Sequence, residues 1–316
     1  MLAALSVGQF LLINATVPTK VKSKVFLEAH LKTFLLLSSQ LPQFPFSPLM
    51  LKTKPMVKTL KYTAGREKVI ADLYIPNTGG KKPAIIIAMG VRQQKKKHLQ
   101  HFMDSLARLG FVVIWPRMQK LENAQPFFEQ SQTFTTTFLK LKEMNFVDKK
   151  RISLFGVSTG ASVAFVAAAD PKIAKAVKNL VFFGGYFDIF EYVKNLKEKK
   201  ADGKKWIPHK LAVLESRAIA KQSISFKNPL FLKSINPSSY LDCFRAKIFI
   251  LHDKSDSYVP YHHSKKLHKE LNGHTQKTMH ISDLFNHVHP KTGFNLQMIP
   301  SFIKLYKFSY KALSAI

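Results

Sequence analysis

A serine stands between two glycines in the sequence Gly-Val-Ser-Thr-Gly at 156–160. An apolar run of β character, 151–155, precedes it, and a run of small residues, 161–169, follows it. Between a strand and a helix, this pattern is typical of a sharp, strained turn that projects the hydroxyl of Ser158 above a sheet edge. Glycines are needed there because larger side chains would collide with the strand and the helix. The pattern predicts that Ser158 is a nucleophile; a tight turn with a buried serine is the alternative.

An acid and a histidine lie in two later segments that share this context, because each directly follows a predicted strand. Asp256 lies after the apolar run 247–252, and His287 lies after the run 277–281. The carboxyl ends of parallel strands meet at one edge of an α/β sheet, where loops converge on a crevice. The chain order Ser, Asp, His therefore predicts that these three side chains meet at one site.

Two neighbouring residues compete for the roles of acid and base. Asp253 stands just before Asp256, and His289 lies two residues after His287, so it would point the opposite way in an extended segment. We favour Asp256 for its offset from the strand, and His287 because it lies nearer the strand end. Another interpretation makes the two late histidines a metal pair with the histidines at 262–263, but no carboxylate or cysteine pattern matches it. We therefore expect no metal and no organic cofactor.

The elements that must position these residues alternate between strands and helices. The strands are predicted at 57–62, 68–75, 84–89, 111–115, 151–155, 180–183, 247–252 and 277–281, and the helices at 99–109, 130–144, 264–271 and 294–313. Such alternation predicts an α/β fold, a mostly parallel, twisted sheet with helices on both faces. We expect a largely helical insertion at about 188–232, aromatic at Phe190 and Trp206 and rich in lysine. It is either a lid that selects the acyl or alcohol group or a packed helical pair with a solvated lysine face.

Residues 1–55 are predicted to be an apolar, helical N-terminal extension, and residues 56–316 to be the domain that carries the site. The stretch 1–19 has no charged residue, but it lacks a basic start and is too diluted for a membrane span or a secretory signal. The stretch 25–37 would form a helix with one apolar face, with Lys32 on the other side, before the prolines at 42–48 end it. The extension either packs on the domain or anchors it at a membrane interface.

The composition limits partners and compartment. The net charge is +30, from 49 Lys+Arg against 19 Asp+Glu, which favours association with anionic surfaces. No recognition-helix pattern, Cys/His finger or aromatic interleaving accompanies the lysines, so we expect no specific nucleic-acid partner and only weak attraction to anionic membranes. Cys243 is the single cysteine, which excludes an internal disulfide and favours a reducing compartment. We expect a cytoplasmic protein, peripheral to the membrane at most.

Together, these segments resemble the α/β-hydrolase superfamily over about 56–313. The most specific similarity is 250–260, Ile-Leu-His-Asp-Lys-Ser-Asp-Ser-Tyr-Val-Pro, in which a strand, a turn and a Val-Pro pair bracket the acid. The segments 106–113 and 236–241 are independently similar to the superfamily. The segment 70–76, Ile-Ala-Asp-Leu-Tyr-Ile-Pro, is similar to the dienelactone-hydrolase-like and carboxylesterase branch.

The resemblance implies a serine hydrolase that cleaves a small-molecule ester or related acyl compound through an acyl-enzyme. Ser158 would be the nucleophile, His287 the base and then the acid, and Asp256 the residue that holds the imidazole tautomer. Backbone N–H groups of Thr159 and Val91 would form the oxyanion hole.

Met89 stands where the family often has a histidine before the glycine of the loop that would supply the second oxyanion donor.

Two other functions stay open. A non-catalytic binding protein of the same fold is one alternative. A membrane-surface protein that uses its N-terminal residues and its lysines is the other.

Overall fold

The structure of the chain is a computed structural model that describes residues 20–41, 53–91, 96–118, 130–214, 229–271, 273, 275–293 and 295–316. The apolar stretch 1–19 and the prolines at 42–48 lie outside the described residues. So does the part of the insertion at 215–228.

The strands alternate with helices along the chain, as predicted. The strands are β1 Met56–Ala64, β2 Glu67–Ile75, β3 Lys82–Ala88, β4 Val112–Arg117, β5 Val147–Val157, β6 Asn179–Phe183, β7 Lys200–Ala201, β8 Lys204–Lys205, β9 Lys247–Asp253, β10 Lys277–Ser282, β11 Phe285–Asn286 and β12 His289–Pro290. The helices are α1 Lys20–Gln40, α2 Lys96–Arg108, α3 Gln130–Glu143, α4 Thr159–Ala168, α5 Ile189–Glu198, α6 Pro229–Ser234, α7 His262–Glu270 and α8 Ile299–Ser314, with 3₁₀-helices at Pro237–Cys243 and Leu296–Met298.

Within the described residues, eight strands form one sheet in the order β1-β2-β4-β3-β5-β6-β9-β10. The hairpin β1–β2 is antiparallel and joins β4 antiparallel, whereas the strands from β4 to β10 pair in parallel. Because successive residues of a strand face opposite sides, Ile86 packs against the side covered by α3 and α4, and Ile85 packs against the side covered by α2. The prediction of a mostly parallel sheet with helices on both faces is confirmed.

The described part of the insertion is helical at 189–198, 210–214 and 229–232, and it also contains a short hairpin that the sequence did not predict. Helix α5 is followed by β7 and β8, two short antiparallel strands joined through Asp202 and Gly203, which both have positive φ. A glycine tolerates such a conformation readily, so the chain reverses here instead of continuing as a helix. The lysines at 197, 199, 200, 204 and 205 are exposed, as expected of a solvated lysine face.

Helix α1 packs on the domain through α8 and α2. The His30 ring stacks on Tyr310 at 4.0 Å between centroids, and its Nδ1 lies 2.9 Å from the hydroxyl of Tyr306. The side chain of Lys32, predicted opposite the apolar face, is 30% exposed; its Nζ lies 2.7 Å from Oε1 of Glu28 and 5.5 Å from the centre of the Phe111 ring, where a cation and an aromatic face attract. No helix in the described ranges is long and apolar enough to cross a bilayer.

Candidate active site

Ser158 occupies the turn between β5 and α4 and has φ 56° and ψ −137°. A positive φ is strained for a residue with a side chain, so the surrounding structure must hold it. The Ser158 N–H donates to the carbonyl of Phe183 on the adjacent strand β6, at 2.8 Å. The turn is therefore the sharp, strained one that the pentapeptide predicts.

The two glycines of the pentapeptide let β5, α4 and β3 approach one another. A Cβ at Gly160 would stand 2.5 Å from the carbonyl carbon of Met89, and one at Gly156 would stand 2.9 Å from the nitrogen of Ala161. Both distances are below the contact distance of a real Cβ, and both neighbours are backbone atoms that no rotamer change can move. The close approach of three backbones fixes where Ser158 stands.

The structure brings Ser158, His287 and Asp256 together in one hydrogen-bonded chain. The Ser158 hydroxyl donates to Nε2 of His287 at 2.9 Å, and Nδ1–H of His287 donates to Oδ2 of Asp256 at 2.6 Å. His287 lies in the turn between β11 and β12 and has φ 59°, a left-handed conformation. Of the predicted histidines, His287 rather than His289 therefore reaches the serine; His289 is exposed on β12, opposite Asn286.

Asp256 is buried and held by several donors. The backbone N–H groups of Tyr258 and Val259 donate to its Oδ1 at 2.7 and 2.9 Å. Burial by itself raises the pKa of Asp256, but His287 and His252, by their charge and their hydrogen bonds, bring that pKa well below its ordinary value. The carboxylate thus stays ionised and can orient the imidazole.

His252 is a residue of this site that the sequence reasoning missed. It is the sixth residue of β9, fully buried, and its Nε2 lies 2.9 Å from the carbonyl oxygen of Val259 and 3.1 Å from Oδ2 of Asp256. Because the Val259 carbonyl can only accept, Nε2 of His252 carries a proton, and Nδ1 lies 2.6 Å from the hydroxyl of Ser264. His252 therefore supports the carboxylate at Oδ2, the same oxygen that His287 contacts. A histidine at the end of an apolar strand is the only signal for it.

Asp253, the alternative acid, does not reach the histidine. Its Oδ1 accepts from the N–H and hydroxyl of Ser255, at 2.9 and 2.8 Å, and its Oδ2 has no hydrogen-bond partner among the described residues. Burial raises the pKa of Asp253. Ionising this carboxyl at neutral pH therefore costs folding free energy.

Replacing Asp253 with asparagine tests this assignment. When the folded state raises the pKa of an acid, ionisation of that acid destabilises the fold. This destabilisation is absent below the unfolded pKa of about 3.9 and complete above the folded pKa. We expect Asp253→Asn to raise Tm at pH 7, to give no gain in Tm near pH 3.5, and to keep the hydrolase activity. Asp256→Asn should instead lower kcat by about 10⁴-fold. Thermal melts and kinetics of both variants check this; a larger activity loss in Asp253→Asn would reverse the two roles.

The two predicted oxyanion donors are the backbone N–H groups of Thr159 and Val91, and the structure gives the first of them a position beside the serine. Thr159 carries the first N–H of α4, which has no acceptor within its helix and lies at the positive end of the helix dipole. Gly90 lies against this amide, since a Cβ there would stand 3.1 Å from the Ser158 hydroxyl and 3.2 Å from the Thr159 nitrogen. The missing side chain leaves space beside the nucleophile. Val91 follows Gly90 directly, and its N–H as second donor stays a prediction.

The insertion is attached to the loop that carries Asp256. Trp206 donates from Nε1 to the Asp256 carbonyl at 2.9 Å, and His209 donates from its backbone to the Ser257 carbonyl at 2.7 Å. The ring of Tyr258 stacks between His209 and His287, with centroids 4.4 and 4.7 Å away. The insertion therefore borders the site: its His209 ring packs on Tyr258 of the acid loop, and the Tyr258 ring packs on the imidazole of His287.

The sheet order and the serine turn are those of the α/β-hydrolase fold, and solved structures show the same fold. The 2,6-dihydroxy-pseudo-oxynicotine hydrolase has a TM-score of 0.60 at 15% identity, covering 82% of this chain and 68% of its own. Est1E from Butyrivibrio proteoclasticus has a TM-score of 0.55 at 18% identity, covering 80% of this chain and 99% of its own. A puromycin-hydrolysing peptidase from Mycobacterium tuberculosis has a TM-score of 0.59 at 13% identity, covering 86% of this chain. The match covers only 39% of that peptidase.

The family follows from the sequence of the central region. Residues 71–271 match the family BD-FAE, and since this is more than half of the chain, the protein belongs to BD-FAE, an α/β-hydrolase family. Among curated proteins, no sequence matches the chain.

Proposed function

We propose that the protein is a serine hydrolase that cleaves a carboxylic ester or related acyl compound through a covalent acyl-enzyme. The observation that supports this most is the unbroken relay from Ser158 through His287 to Asp256, with contacts of 2.9 and 2.6 Å. The first contact suits transfer of the serine proton to Nε2 of His287, and the second lets the carboxylate hold the imidazole and stabilise the imidazolium. A serine with only a structural role would not require a hydrogen bond to an imidazole that a buried carboxylate holds.

The reaction follows from the roles that these atoms can take. Oγ of Ser158 attacks the acyl carbon while its proton moves to Nε2 of His287, and Asp256 stabilises the imidazolium that forms. His287 then protonates the leaving alcohol, and the acyl group stays on the serine. Water attacks this acyl-enzyme with His287 again as base, which releases the acid and restores the serine.

The negative oxygen of each tetrahedral intermediate would lie beside the start of α4. The Thr159 N–H is one donor in this proposal, and the Val91 N–H is the second. The space that Gly90 leaves next to Ser158 supports the placement of the acyl group there. Loss of one oxyanion donor typically costs about 2.7–4 kcal/mol of transition-state stabilisation.

The insertion would define the substrate. The contacts of Trp206 and His209 with the acid loop place aromatic residues next to the site. An aromatic border favours a small apolar acyl or alcohol group, because its burial there removes apolar area from water. We therefore propose that the segment including 188–214 acts as the cover that selects the substrate.

Active-site labelling tests the proposed function on the full chain. A fluorophosphonate should label Ser158, located by mass spectrometry of the digested protein, and His287→Ala should prevent the labelling. A panel of p-nitrophenyl esters from acetate to decanoate, run beside aminoacyl p-nitroanilides, then separates esterase from peptidase activity. Labelling at another residue, or none in a folded sample, would favour a non-catalytic binding protein.

A further inference from the structure

Two adjacent histidines at the start of α7 face a glutamate of α5, away from the relay described above. The ligand-type atoms of Glu191, His262 and His263 all lie within 4.8 Å of one another. His263 is completely buried, and His262 is 9% exposed. Both His287 and His289 lie outside this group, so it differs from the histidine set that the sequence suggested.

The position of the ring proton leaves one nitrogen of His263 free to bind a metal. Its Nε2 lies 3.1 Å from Oδ1 of Asn195, an oxygen that can only accept, so the ring proton is on Nε2. Nδ1 is then a bare lone pair, buried, with no hydrogen-bond partner among the described residues. Ligating histidines usually donate their other ring N–H to such an oxygen, which fixes the tautomer and the orientation of the ring.

His262 and Glu191 complete the donor set. Nε2 of His262 lies 3.3 Å from Oε1 of Glu191, and Nδ1 of His262 has no hydrogen-bond partner in the described part of the chain. A nitrogen with a free lone pair is what an imidazole offers a metal, and the tautomer of His263 presents such a nitrogen at Nδ1.

We propose that Glu191, His262 and His263 bind a divalent transition-metal ion of the Zn²⁺ type. Two imidazole nitrogens and one carboxylate oxygen are a donor set that suits Zn²⁺, with water in the remaining position. Such an ion links α5 of the insertion to the start of α7, which directly follows the loop of Asp256. The ion therefore stabilises the attachment of the insertion and takes no part in acyl transfer.

Lys266 is the local competitor for the carboxylate. Its Nζ lies 2.9 Å from Oε2 of Glu191, and its side chain is 46% exposed. An exposed lysine can swing into water when a cation of higher charge arrives, but its own charge opposes metal binding. We therefore expect opposite effects on metal binding from two substitutions. Removal of the glutamate weakens the binding, and removal of the lysine charge strengthens it.

The experiment uses the untagged full chain after EDTA treatment and dialysis. Titration with Zn²⁺ by calorimetry should show one ion per chain in the micromolar range or tighter, and Zn²⁺ should raise Tm. Glu191→Gln and His263→Gln should each weaken binding at least about tenfold and remove the Tm increase. Lys266→Gln should bind several-fold more tightly. His268→Gln, on the same helix outside the cluster, is the matched control and should bind like the unaltered chain.

Circular dichroism of each variant verifies folding, and Glu191→Gln is the decisive substitution because its side chain is partly exposed and tolerant of change. The proposal is overturned if the chain binds no Zn²⁺ or if Glu191→Gln binds Zn²⁺ as the unaltered chain does. Equal or weaker binding by Lys266→Gln would also overturn it, since the carboxylate could not then be a ligand.

Discussion

Ser158→Ala should lower kcat/KM for p-nitrophenyl acetate by about 10⁴-fold or more while the fold persists. The substitution removes the oxygen that attacks the acyl carbon and that donates to His287 at 2.9 Å. Alanine has a Cβ as serine does, so the backbone strain at φ 56° is unchanged and the turn itself should be retained. Steady-state kinetics with circular dichroism and thermal melts measure both effects.

Ser162→Ala is the matched control for this experiment. Ser162 lies on α4, which begins directly after Ser158; it is fully buried and donates to the carbonyl of Tyr186 at 2.7 Å. Its loss should cost stability, about 1 kcal/mol, and leave hydrolysis nearly unchanged. An activity in purified Ser158→Ala equal to that of the unaltered protein would end the proposal of a serine hydrolase.

Gly160→Ala should destabilise the protein by about 3 kcal/mol or more, enough to abolish much of the folded population. The new Cβ would stand 2.5 Å from the Met89 carbonyl carbon, so β3 and α4 would have to separate. Gly156→Ala should act similarly, because its Cβ would meet the backbone of Ala161. Urea unfolding followed by circular dichroism gives the free energy of unfolding.

Gly79→Ala is the control for the glycine series. It lies in a turn, has no atom within 4 Å of an added Cβ, and has an ordinary φ. Its unfolding free energy should stay within about 0.5 kcal/mol of the unaltered value. If Gly160→Ala were as stable as Gly79→Ala, the three backbones could not be packed as tightly as the structure has them.

The parts of the fold that local pattern governs were predicted well. The strand predictions for β3 and β9 follow from apolar runs, which identify strands buried on both faces of a parallel sheet. The insertion was predicted less well, because its two-residue strands depend on one turn with positive φ and not on hydrophobic periodicity.

The sequence by itself determined the turn of Ser158 and the order of the strands that precede each candidate residue, because glycine requirements and side-chain periodicity act between near neighbours. It left two acids and two histidines in competition, since residues a few positions apart share the same local pattern. Only the tertiary structure selected Asp256 and His287, added His252, and brought Glu191 to the histidines of α7. These contacts join segments far apart in the chain, and their geometry depends on how whole strands and helices pack.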